Sequence, residues 1–112
     1  MELFRAILRN LDYSNYKLRP IADVIRGKSA QWAVGFLTTA ENQRTRPVKK
    51  LLLSAIANAK ERGNVGLERL SIHEITVDQG RITKYFKPGA QGRSMPQRKR
   101  SCHMSIVLKS ND

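Results

Sequence analysis

The sequence predicts an α+β domain in which three helices pack on a small antiparallel sheet and a long β-hairpin protrudes from that sheet. Three observations predict it: helical periodicity confined to residues 14–62, strand alternation at both ends of the chain, and a basic, turn-rich stretch between the two C-terminal strand patterns. A chain of 112 residues has room for one domain. Its expected division is a globular part of about residues 1–79 and 101–110 and an extended hairpin of about residues 80–100.

The elements follow in order. Phe4, Ala6 and Leu8 alternate with Arg5, Ile7 and Arg9, which reads as a first strand. Ser14 can cap a first helix in which Leu18, Ile21, Ala22 and Ile25 share a face, and Gly27 ends it. Pro20 lacks a backbone donor and crowds the preceding turn, so this helix is expected to start late or to kink near Arg19. Ser29 caps a second helix with Ala33, Phe36, Leu37 and Ala40 on one face and Trp32 near its start. The clearest helical pattern covers residues 47–62, with Thr45 as a possible cap, Val48, Leu51, Leu52, Ala55 and Ala59 on one face, and Gly63 as the stop. From Leu70 the pattern becomes β-branched, and its phase slips between Ile72 and Ile75, as a bulge would make it. Cys102, Met104, Ile106 and Leu108 then alternate with Ser101, His103, Ser105 and Val107, as in a strand with one face packed on helices.

Between the last two strands, residues 81–100 carry Arg81, Lys84, Lys87, Arg93, Arg98, Lys99 and Arg100 and no acid. Pro88, Gly89, Gly92 and Pro96 mark a turn region in the middle, so the flanks are expected to run antiparallel. At about 3.3 Å per residue, an arm running from Leu70 to Lys87 reaches ~60 Å, more than the globular part can cover. A two-stranded ribbon is marginal in water, and this one concentrates charges that repel one another. The expectation is a tip that is loose in the free protein and ordered by phosphates, whose neutralisation releases counterions.

Charge and motifs narrow the function. Lys and Arg number 21 against 9 acids, a net charge of +12, which calls for an anionic partner. No apolar run approaches the roughly 18 residues that span a bilayer, so no membrane is expected. The start at Met1 lacks the basic and apolar regions of a secretory signal, and the expected compartment is a reducing one. Cys102 is the only cysteine and with His73 and His103 gives no zinc spacing, so no metal and no cofactor are expected. An enzyme is disfavoured: Cys102 and His103 point to opposite faces of a strand, the acids are scattered, and no phosphate-binding loop is present. RNA is favoured over DNA, because extended basic arms suit irregular RNA surfaces and no helix-turn-helix, zinc finger or basic zipper is visible. The candidate RNA contacts read from charge are Arg5, Arg9, Lys17, Arg19, Arg26, Lys28, Lys49, Lys50, Arg81, Lys84, Lys87, Arg98, Lys99 and Arg100, with Arg44 and Arg46 crowding the start of the third helix. His103 is expected to meet RNA or a neighbouring side chain, and a free-standing RNA chaperone or nucleic-acid-binding module is the alternative reading.

Five ordered segments carry a resemblance: Ser14-Asn15-Tyr16-Lys17-Leu18-Arg19, Ala22-Asp23-Val24-Ile25-Arg26-Gly27-Lys28, Lys50-Leu51-Leu52-Leu53-Ser54-Ala55-Ile56-Ala57-Asn58-Ala59, Pro88-Gly89-Ala90-Gln91-Gly92-Arg93 and Lys99-Arg100-Ser101-Cys102-His103. Together they resemble the bacterial-type large-subunit ribosomal protein twenty-two family over nearly the whole chain. The resemblance implies a protein of the ribosome, cytoplasmic or organellar, that binds large-subunit rRNA, supports subunit assembly and sends its hairpin to line the nascent-peptide exit tunnel. It implies neighbouring ribosomal proteins and the nascent polypeptide as partners, and no homo-oligomer. Lys17, Arg19, Arg26 and Lys28 would face RNA from the first helix, Lys50 and Asn58 from the third, and Lys84, Lys99 and Arg100 from the hairpin. Gly89, Ala90, Gln91, Gly92 and Arg93 would lie nearest the tunnel. The chain departs from the family pattern at Asn15, where a helix-starting Pro is usual, at Pro20, where an aliphatic residue is usual, and at Gly89 and Gln91, which are commonly basic.

Overall fold

The computed structural model describes residues 3–11, 13–40, 42–88 and 94–111, and over 81–88 and 94–99 it describes the backbone alone. The order is β1 (Leu3–Leu11), α1 (Asn15–Ile25), α2 (Ala30–Thr39), α3 (Thr45–Gly63), a short 3-10 turn (Leu67–Arg69), β2 (Leu70–Pro88) and β3 (Ser94–Ser110). The three strands form one antiparallel sheet in the order β1-β3-β2. Strand β3 is central because it carries the cleanest alternation. Cys102, Met104, Ile106 and Leu108 are fully buried and face the helices, while Ser101, His103 and Ser105 lie on the opposite face.

The core fills the space between that face and the helices. Phe4 and Ala6 from β1 and Leu70, Ile72, Ile75 and Val77 from β2 join the β3 residues. Leu18, Ala22 and Ile25 of α1, Ala33 and Leu37 of α2, and Val48, Leu51, Leu52, Ala55 and Ala59 of α3 close the cluster from above. Ala55 and Ala59 are buried completely, so the small side chains of α3 let it lie close on its neighbours.

Three local expectations are corrected, and of the two alternatives for α1 the late start is excluded. Helix α1 starts at Asn15 without delay, Ser14 accepting from Tyr16 N–H, and carries Pro20 in its interior. Pro20 forfeits one intrahelical bond, and it does so on an exposed stretch where water can satisfy the carbonyl left over. At α3, Thr45 is the first helical residue, not the cap. The Asn42 side-chain oxygen accepts from the N–H groups of Arg44 and Thr45 at 2.8 and 3.1 Å, an Asx-type arrangement, and Thr45 Oγ1 in turn accepts from the Asn42 N–H at 3.0 Å. Gly63 stays helical, and the left-handed residue that ends α3 is Asn64, at φ 52°. Pro96 belongs to β3, opposite Phe86, and not to the turn. No third strand flanks the hairpin there, so a missing donor is tolerated. The turn itself, with Gly89 and Gly92, lies outside the described residues.

Among the described residues, three irregularities interrupt the pairing of the sheet. The phase slip read from the sequence is a register shift between Ile72 and Glu74. A second shift falls between Gln79 and Ile82, where Gly80 lies against side chains of β3: a Cβ there would lie 2.8 Å from Ser101 Oγ and 3.2 Å from the His103 ring, so those side chains would have to shift to admit one. A third breaks β1 between Leu8 and Leu11, at Asn10, whose φ of 59° is left-handed. Strand β1 pairs with β3 as far as Leu11 and Cys102, whereas β2 and β3 continue as a two-stranded ribbon to the Pro88–Ser94 pair. The molecule accordingly measures 65 × 25 × 19 Å.

Candidate nucleic-acid interface

The sheet has two edges, and each is held by side chains that the sequence marked as RNA contacts. On the β2 edge, Arg19 Nε and Nη2 donate to the Val77 carbonyl, both at 3.3 Å, and Arg26 Nη2 donates to the Ile75 carbonyl at 2.9 Å. Arg19 and Arg26 are seven residues apart, two helical turns, so they leave the same face of α1 and meet carbonyls two residues apart on the strand. Ile72 N–H donates to the Lys28 carbonyl at 2.9 Å and extends the same edge cover. On the β1 edge, Asn58 Nδ2 of α3 donates to the Arg5 carbonyl at 3.1 Å. These bonds occupy strand-edge groups that would otherwise be free to pair with another chain. Arg26 also forms an ion pair with Asp23.

The remaining candidates divide among four places. Arg5 and Arg9 are exposed on β1, on the sheet face that carries no helix. Lys17 and Lys28 are exposed along α1 and the turn after it. Lys49 is half-buried and Lys50 exposed at the start of α3, with Arg44 and Arg46 exposed beside them. Arg81, Lys84, Lys87, Arg98, Lys99 and Arg100 lie in the two strands of the ribbon, and Arg100 is exposed. His103, at the foot of the ribbon, accepts from the Asn10 N–H through Nδ1 at 3.1 Å, which anchors the β1 bulge. The tip candidates Gly89, Ala90, Gln91, Gly92 and Arg93 lie outside the described residues.

Register gives the ribbon its electrostatics. Lys84 stands directly opposite Arg98, Lys99 opposite Thr83, and Arg100 opposite Ile82. Directly opposed residues of an antiparallel pair share a face, so Lys84, Arg98 and Arg100 belong to one face and Lys99 to the other. Like charges placed opposite each other destabilise a strand pair, and a bound polyanion reverses the sign of that term.

Four cations, Lys60, Arg62, Arg69 and Lys109, are not among the candidates read from the sequence. Arg62 lies beside Arg5 and Asn58 in an open cleft of about 420 Å³ that Leu3, Phe4 and Val107 complete. The signal was present, since Asn58 and Arg62 are four residues apart on α3 and share a helix face. Burial also removes the one thiol from consideration as a nucleophile: Cys102 is enclosed by the core, which pushes it above the ordinary range. Among the described residues, no helix is long and apolar enough to cross a membrane.

Comparison with known proteins points the same way as charge and shape. The family model described as ribosomal protein L22p/L17e matches residues 6–109. The chain is 44% identical over 105 residues to the large ribosomal subunit protein uL22c of Chlorokybus atmophyticus, covering 94% of this chain and 88% of the relative. Against uL22c of Mesostigma viride the identity is 43% over 108 residues, covering 95% and 89%. With the large ribosomal subunit protein uL22 of Myxococcus xanthus it is 39% over 105 residues, covering 92% of each. Matched over residues 6–109, this chain therefore belongs to the ribosomal protein L22p/L17e family, structural and non-enzymatic proteins of the large ribosomal subunit.

Proposed function

We propose that the chain binds large-subunit rRNA through the cations outside its core and along its ribbon, supports assembly of the subunit, and lines the nascent-peptide exit tunnel with the hairpin. The observation that carries this reading is the ribbon itself. It continues beyond the last β1 pair, with cations in both strands and Lys84 set against Arg98. An isolated ribbon of this kind has little to hold it in water, whereas phosphates on either side supply a favourable term at each contact. Residues 1–79 and 101–110 form the part that folds by itself, and residues 80–100 form the extension that RNA shapes. Gly89, Ala90, Gln91, Gly92 and Arg93 lie nearest the tunnel, with Arg93 as the cation facing the nascent chain. Neighbouring ribosomal proteins and the nascent polypeptide are the other partners, and the chain acts as a single copy without cofactor or metal.

Two of the candidate arginines then act in two ways. Arg19 and Arg26 hold α1 to the β2 edge with some of their donors, and the guanidinium groups, each with five N–H donors, offer the others to phosphate. The test is sedimentation. The chain is expected to travel with the large subunit through a high-salt wash, and a variant lacking residues 87–97 is expected to keep the folded core. Recovery of the full chain free at the top of the gradient overturns the reading in favour of a free-standing RNA-binding module.

A further inference from the structure

Helix α2 differs from the rest of the surface. It contains no charged residue, in a chain of net charge +12, yet it exposes the largest aromatic side chain of the protein. Trp32 remains 46% exposed after all its contacts are made. Its ring lies parallel to that of Phe36, with centroids 5.5 Å apart and 3° between the planes, and the Lys28 ammonium stands 5.4 Å from its centroid.

The backbone leading into this cluster is held by two bonds. Ser29 Oγ accepts from the Trp32 N–H at 3.2 Å and caps the helix, and the Lys28 carbonyl accepts from Ile72 N–H of the sheet at 2.9 Å. Gly35, three residues beyond Trp32, would bring a Cβ into open space, so that neighbouring helix position is clear of protein. The result is an aromatic platform held in place, with one cation over the Trp32 ring and no acid on its helix.

We propose that this platform takes an unpaired RNA nucleotide, the base stacking on Trp32 and its phosphate meeting Lys28. The inference rests on the RNA-binding reading above and adds a base-stacking site to a protein whose other candidate contacts are mostly cations suited to phosphate. Charge complementarity selects the occupant: an apolar protein surface would have to desolvate Lys28 without pairing it, whereas a nucleotide brings both a π-face and an anion.

Trp32 is the only tryptophan of the chain, so its fluorescence reports on this site alone. The full-length protein is titrated at low salt with an oligoadenylate of about twelve nucleotides and with an abasic oligomer of the same length and charge. Stacking predicts that oligoadenylate quenches Trp32 and the abasic strand does not. It also predicts that Trp32→Leu weakens oligoadenylate binding about 5- to 150-fold, that Trp32→Phe retains most of it, and that abasic affinity is unchanged in both. Binding of both strands without selective quenching overturns the platform and leaves phosphate binding intact. If neither strand binds, the RNA reading falls together with the platform. A blue shift of Trp32 emission on incorporation into the large subunit, without quenching by oligoadenylate, assigns the surface to a protein neighbour and also overturns the proposal.

Discussion

Replacing Arg98, Lys99 and Arg100 together with Ala removes three cations from one strand of the ribbon without touching the core, whose nearest member is Cys102. Each phosphate neutralised contributes about 0.7 to the salt slope for single-stranded RNA-like partners and about 0.9 for a duplex, so three contacts lower the slope by about 2 to 3. Between 50 and 200 mM salt, a fourfold change, the wild-type chain should therefore lose roughly 20- to 40-fold more affinity than the variant. Register refines the expectation. Arg98 and Arg100 share a face with Lys84 and Lys99 lies on the other, so an RNA gripped from one side registers either the Arg98 and Arg100 pair or Lys99 alone. Fluorescence anisotropy with a labelled large-subunit rRNA fragment, repeated across the salt range, measures the slope directly. Parallel slopes for the wild type and the triple variant would refute phosphate contact by these residues.

Two further outcomes concern the core. Leu52→Ala removes a fully buried side chain of α3 and should cost about 2–5 kcal/mol by denaturant titration; a loss under ~1 kcal/mol contradicts the packing described for that face. Burial raises the Cys102 thiol above its ordinary 9.0, so the folded chain keeps a proton that the unfolded chain gives up. Stability from this group is full below that value and falls as pH rises past it, and Cys102→Ala should show a shallower alkaline decline than the wild type. Equal alkaline slopes in the two chains contradict the desolvation.

Much of the fold was legible because its signals are local. The β3 alternation, the Ser14 and Ser29 caps and the phase slip after Ile72 each depend on residues within a few positions of one another. The α3 boundaries were missed by a residue or two, since Asn42 and Asn64 do with a side-chain bond and a left-handed backbone what Thr45 and Gly63 were expected to do. The candidate site was legible as charge and illegible as geometry. Nothing in the order of residues shows that Arg19 reaches Val77, 58 positions away, or that Asn58 reaches Arg5, 53 positions away. Those bonds exist because a three-stranded sheet has two edges to cover, and that requirement appears only once the strand order is known. Trp32 was legible as part of a helix, but its exposure was not, because the buried stripe of α2 runs through Ala30, Ala33 and Leu37 and leaves the ring outside it.

Hydrogen exchange, followed strand by strand, tests most directly whether the ribbon takes its shape from RNA. In the isolated protein the amides of residues 102–109 should be protected by the sheet, while those of 82–88 and 94–100 exchange readily and become protected on binding large-subunit rRNA. Equal protection along both strands at high salt, with no nucleic acid present, contradicts the account.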